Sequence, residues 1–175
     1  MGVLFANLAV TPTTYAKSKY VSISKTEFKS IKSGMSYKKV KKIVGGGGKL
    51  LSESGSKGDS FHTAIYEWDG ASGWGANANV TFQNNKVINK SQIGVDSGSK
   101  AKITMKKFKK IHNGMSYSKV KKIIGGAGSK NSESGQKGSP EYTVIYGYKG
   151  NTLGGNAMFT FQGGKLLNKA QFGLK

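Results

Sequence analysis

The sequence predicts an α+β protein made of two tandem α-α-β-β-β-β repeats, each with two short helices packed on a four-stranded antiparallel sheet. Three observations lead there. The chain matches itself at an offset of 80 residues, each copy opens with capped amphipathic helices, and each closes with four short β-prone runs.

The self-match aligns Phe28 with Phe108, Ile31 with Ile111, and Gly34-Met35-Ser36-Tyr37 with Gly114-Met115-Ser116-Tyr117. Ser52-Glu53-Ser54-Gly55 then meets Ser132-Glu133-Ser134-Gly135, and after one residue drops out, Thr81-Phe82-Gln83 meets Thr160-Phe161-Gln162. Two copies are too few for a stacked array, so each is expected to be a small domain. The expected boundaries are a start over 1–20, a first repeat over 21–95, a linker over 96–102 and a second repeat over 103–175.

The start, Met1 to Ala16, is apolar and then small and polar, and reads as a signal-peptide remnant. Within the repeat, Ser24-Lys25-Thr26-Glu27 is a capping box, Phe28 and Ile31 share one face, and Gly34 stops the first helix. Ser36 caps a second helix, whose stripe is Tyr37, Val40, Ile43 and Val44. Gly45 and Gly46 end it. The period then changes, and strands are expected over 49–54, 63–68, 78–83 and 86–93, with the helices covering one face. On the third strand Ala78, Val80 and Phe82 should face the helices, as should Ala157, Phe159 and Phe161. On the second strand Ile65 and Ile145 are assigned to the core, which leaves Tyr66, Trp68, Tyr146 and Tyr148 as an aromatic row on the open face.

The 28 basic residues are all lysine, against eight carboxylates, for a formal charge of +20. Lysine is a flexible point charge without the forked geometry that reads bases, so a specific nucleic-acid reader is disfavoured. An anionic cell-wall polymer remains a plausible partner for Lys38, Lys39, Lys41, Lys42, Lys119, Lys121 and Lys122 on the second helices. The absence of cysteine excludes disulfides, a thiolate nucleophile and sulfur metal sites. No membrane span, metal site or cofactor is expected.

Gly45-Gly46-Gly47-Gly48-Lys49 fails as a phosphate loop because it follows a helix rather than preceding one. Asp59, Ser60 and His62 lie together in sequence, but neighbours on one turn do not converge as a triad. The two histidines, His62 and His112, fall at different places in the repeat, and no catalytic residue is assigned.

The doubled Phe-x-x-Ile-x-x-Gly-Met-Ser-x-x-x-Val-x-x-Ile-x-Gly, the Gly58-to-His62 segment and Lys86-to-Gln92 together resemble the β-lactamase inhibitory protein family. The helix pair is also similar to that of small outer-membrane assembly lipoproteins. The resemblance implies tandem modules whose sheet surface grips another protein, with an acidic hairpin tip and an aromatic in the matching second loop. Here Gly75 stands where the acid is expected and Thr152 where the aromatic is expected, and the family's cysteines are missing. His62 and Phe172 match positions on the family's binding face. The expectation is thus a secreted or cell-surface, non-catalytic protein binder using His62, Tyr66, Trp68, Asp69, Trp74, Tyr142, Tyr146, Tyr148 and Phe172. Polyanion binding through the helices and inhibition of a β-lactamase stand as alternatives.

Overall fold

The computed structural model describes residues 20–96 and 98–175. Apart from Tyr20, the expected signal remnant lies outside the described residues. The elements run α1 (Lys25–Ser30), α2 (Tyr37–Val44), β1 (Lys49–Ser54), β2 (Thr63–Asp69), β3 (Asn77–Gln83) and β4 (Lys86–Ile93). The second copy follows as α3 (Met105–Lys109), α4 (Tyr117–Ile124), β5 (Ser129–Ser134), β6 (Thr143–Lys149), β7 (Asn156–Gln162) and β8 (Lys165–Phe172).

Local chemistry fixes these boundaries. The Ser24 hydroxyl accepts from the Glu27 amide at 3.3 Å while the Glu27 carboxylate accepts from the Ser24 amide at 2.7 Å, a reciprocal cap on α1. Ser36 and Ser116 each accept from an amide in the first turn of α2 and α4, and Gly45 and Gly125 end those helices in the left-handed conformation. Asn84 and Asn85, at φ 44° and 58°, make the two-residue turn from β3 to β4, and Gly163-Gly164 makes its counterpart.

The strands form one sheet of eight in sequential order, antiparallel throughout. The two four-stranded halves are therefore joined edge to edge rather than packed face to face. Their seam is short: Asn89 opposes Ser134, Lys90 opposes Glu133 and Ser91 opposes Ser132. The helices cover one face, and each repeat keeps its own core there.

The expected aromatic row is overturned. Tyr66 opposes Val80 and Trp68 opposes Ala78, and directly opposed residues share a face. The rings thus join Val80 and Phe82 beneath the helices, and Ile65, opposite Thr81, lies on the open face. Tyr146 and Tyr148 do the same opposite Phe159 and Ala157, leaving Ile145 outside. Trp68 is 0% exposed, and its indole N–H donates to the Gly46 carbonyl at 3.2 Å. The glycine that precedes β1 explains how the ring fits. A Cβ on Gly48 would come within 2.8 Å of the Trp68 ring, and one on Gly128 within 2.6 Å of Tyr148.

Candidate protein-binding face

Alternation leaves the second face of the sheet uncovered, and the cross-strand register defines its composition. On β3 to β5 it presents Asn79, Thr81, Asn89, Ser91, Ser132 and Ser134. On β6 to β8 it presents Thr143, Ile145, Gly147, Met158, Thr160, Asn168 and Ala170. Away from the turn-flanking positions, β3 to β8 contribute no charged side chain here; Lys149 stands at the end of β6, and Glu67 and Asp69 lie on the β2 flank of the face. On a chain of charge +20 the centre of this surface, from β3 to β8, is uncharged and short-chained. Such charge depletion is typical of the centre of protein–protein interfaces.

One end of the same face is apolar. The β2–β3 loop, 70–76, carries Trp74 at 94% exposure, and the β6–β7 loop, 150–155, carries a fully exposed Leu153. Ile93 ends β4 and Phe172 ends β8, both well exposed. The register places all four at one end, since Asn77 bridges to Gly94 and Asn156 opposes Phe172. The Thr152 hydroxyl ties the second loop down by donating to the Gly173 carbonyl. Between them a cavity of about 390 Å³ opens where β4 and β5 part beyond their seam, lined in part by Ile93, Asn131, Gly147, Tyr148 and Met158. Gly147 stands where the first repeat has Glu67, and a Cβ there would meet the Asn131 amide at 2.8 Å.

The residues expected from sequence to bind a partner divide into two groups. Asp69, Trp74 and Phe172 are exposed at the apolar end. The other six make contacts within the fold. Tyr66 stacks on Tyr37 at 4.1 Å and Tyr146 on Tyr117 at 3.7 Å, between sheet and helix. Trp68 is buried as described, and the Tyr148 hydroxyl donates to the Gly126 carbonyl at 3.1 Å. The His62 Nε2 lies 2.8 Å from Glu53 Oε1, so its ring engages that carboxylate rather than Asp59 or Ser60. Tyr142, its counterpart, donates to Glu133 at 2.6 Å. Burial pushes the Tyr146 phenol up to about 12, with the neighbouring Tyr117 and Glu133 adding to the effect. Burial also raises Tyr142, as does its bond to Glu133.

The helix lysines Lys38, Lys39, Lys41, Lys42, Lys119 and Lys122 are exposed on the covered side of the sheet, and Lys121 is half-buried over the Tyr117 ring at 5.1 Å. Two features escaped the sequence reading. Leu153 and Ile93 were not singled out, although both repeats have an apolar residue ending the fourth strand. The seam between repeats was also missed. Lys90 Nζ is buried there, donating to the carbonyls of Phe28 at 2.9 Å and Ile31 at 2.5 Å, with Glu133 at 3.6 Å. Burial lowers the Lys90 ammonium to about 8 while Glu133 opposes that shift. The signal was present: the same lysine recurs as Lys169 in the second copy, opposite the core residue Phe159 as Lys90 is opposite Val80.

The expected linker is anchored at its first residue. Asp96 is buried, with Lys25 at 2.6 Å and Lys29 at 3.5 Å, and its amide donates to the Gln92 side chain at 3.0 Å. Among the described residues no helix is long and apolar enough to cross a membrane.

The family model described as Beta-lactamase inhibitor (BLIP) matches the chain twice, over residues 24–125 and 104–175. A solved structure described as a "putative beta-lactamase inhibitor protein" from Streptococcus mutans superposes with a TM-score of 0.62 at 19% identity. That match covers 89% of this chain and 92% of the other, and at such identity it bears on the fold. No curated protein matches the sequence.

Proposed function

The chain belongs to the β-lactamase inhibitor (BLIP) family, and from that premise we propose that it is a secreted, non-catalytic protein-binding module whose target docks on the open sheet face. The observation that carries the reading is the composition of that face. It is neutral across β3 to β5 and bordered at one end by Trp74, Leu153, Ile93 and Phe172. Large exposed apolar side chains beside a desolvatable polar surface are the usual anchors of a protein interface. The site is asymmetric, because the two loops differ and Gly147 opens the cavity only in the second repeat. One target spanning both halves fits that asymmetry better than two equivalent targets.

The test is capture from secreted or envelope extract by immobilised wild type and by a Trp74→Ala/Leu153→Ala/Phe172→Ala variant. A band retained by the wild type and lost in the variant supports the reading. Equal retention rejects the site. Assay of purified β-lactamases with excess protein tests the narrower possibility that the target is one of them.

A second reading rests on the exposed lysines of α2 and α4, which suit an anionic cell-wall polymer. Binding of that kind weakens steeply with salt, whereas anchoring by Trp74 and Leu153 does not. Retention on purified cell wall across a salt titration separates the two.

A further inference from the structure

The lateral contact that joins the two repeats sets the last strand of one copy beside the first strand of the next. Besides the three opposed pairs, the Gly135 amide donates to the Ile88 carbonyl at 3.1 Å, and the Gln92 side-chain amide reaches the Lys130 carbonyl at 3.3 Å. Lys90 and Glu133 form its buried ion pair.

Because the chain is duplicated, each side of this seam exists a second time at an outer edge of the sheet. β8 repeats the β4 side: Asn168, Lys169 and Gln171 stand where Asn89, Lys90 and Gln92 stand. Lys169 Nζ is held as Lys90 is, by the carbonyls of Phe108 at 2.9 Å and Ile111 at 2.5 Å, yet among the described residues no carboxylate lies within ion-pair distance of it. β1 repeats the β5 side: Ser52, Glu53, Ser54 and Gly55 stand where Ser132 to Gly135 stand. Among the described residues Glu53 is held from within its own repeat, by His62 at 2.8 Å and Lys57 at 3.9 Å. Both edges also carry exposed apolar side chains, Leu50 and Leu51 on β1 and Leu167 and Phe172 on β8. An edge strand presents unpaired backbone donors and acceptors, and here the complementary edge is part of the same molecule.

We propose that β8 of one molecule pairs with β1 of a second copy of this chain, in the register of the β4–β5 seam. Lys169 then meets Glu53, and Asn168 opposes Ser54. One chain cannot make this contact with itself, since seven strand spacings set the two edges about 34 Å apart. The contact is heterologous, so it builds dimers, trimers and longer assemblies. The internal seam has the advantage of a tether, which supplies an effective concentration on the order of mM, and the free edges lack it. Repulsion between copies of charge +20 opposes the contact further. Association is therefore expected at high protein concentration and high salt, where the screening length falls to about 3 Å at 1 M, while a pair buried at the seam is screened less.

The chain has no cysteine, so the register can be trapped directly. A Ser54→Cys/Asn168→Cys variant, mildly oxidised at ~1 M salt, is run on a non-reducing gel beside an out-of-register Ser54→Cys/Phe172→Cys variant. The proposal predicts a ladder of dimer, trimer and higher species for the first, many-fold stronger than for the second. Adding Glu53→Lys to the first variant should remove the ladder, while a cooperative thermal transition, lowered by the loss of the His62 contact, shows the chain still folded. Equal ladders in both variants, or a ladder that survives Glu53→Lys, overturn it. So does monomer in both, including the case where slowed amide exchange along β1 shows that edge to be covered by another part of the chain.

Discussion

At the scale of single residues, the aromatic side chains separate into those buried in the cores and those exposed to solvent. Trp68 sits in the first core with its N–H bonded to Gly46, and its truncation leaves both a large cavity and an unpaired carbonyl. Trp68→Ala is expected to cost about 3–5 kcal/mol, measured by urea denaturation. Gly48→Ala should be damaging through the same contact, because its Cβ has no room beside that ring. Trp74 lies outside both cores and is 94% exposed, so Trp74→Ala is expected to cost much less stability than Trp68→Ala while weakening capture of the target. The sequence hid this division for a definite reason. Ile65 is the more apolar residue and Tyr66 and Trp68 the amphipathic ones, so hydrophobicity alone assigns the strand to the wrong parity. The opposing strand decides it, since Val80 and Phe82 can share a face only with Tyr66 and Ala64. The repetition of aromatic residues at 66 and 68 in 146 and 148, and of glycine at 48 in 128, was the legible sign that these rings belong to a core.

At the scale of elements, the starts of α1, α2 and α4 and the ends of α2 and α4 were readable because they are written in side-chain chemistry, whereas α1 ends at Ser30, ahead of the Gly34 assigned to stop it. Ser24 with Glu27, Ser36, Ser116, and the glycines at 45 and 125 each act within a few residues of their own position. The β4–β5 seam was not readable, because it depends on where the second repeat lands. Its ionisable groups, and the tyrosines that flank it, give the fold a defined pH window. Burial is the largest influence on Glu133 and pushes its carboxyl up, but the bonds from Lys130 and Tyr142 and the charges of Lys130 and Lys90 together bring it below the usual range. A depressed carboxylate stabilises above its unfolded pKa and loses that contribution as pH falls. Lys90 has the opposite sense: the unfolded chain holds its proton more tightly, so stability rises between about pH 8 and the ordinary lysine value. Buried Tyr142, Tyr146 and Tyr148 have raised values, so their contribution is complete below about pH 10 and is lost as the phenols ionise above it. Thermal midpoints followed across pH should therefore hold or rise slightly from pH 8 to 10 and fall sharply beyond, and Tyr146→Phe should soften that alkaline fall.

At the scale of the whole molecule, duplication has produced one continuous sheet with two unlike faces. The helix side carries the cores, the stacked tyrosines and most of the lysine charge. The centre of the open side is uncharged, with Glu67 and Asp69 on its β2 flank, and its apolar end is made from parts in which the two copies differ, the 70–76 and 150–155 loops. The proposed partner recognition uses that open side rather than the lysines of α2 and α4. The most direct test compares capture from secreted or envelope extract by two variants of matched stability. One is Trp74→Ala/Leu153→Ala/Phe172→Ala, and the other replaces Lys38, Lys39, Lys41, Lys42, Lys119 and Lys122 by glutamine. The account predicts that the first loses the captured protein and the second keeps it across a salt titration. Loss in the lysine variant with retention in the apolar one would contradict it.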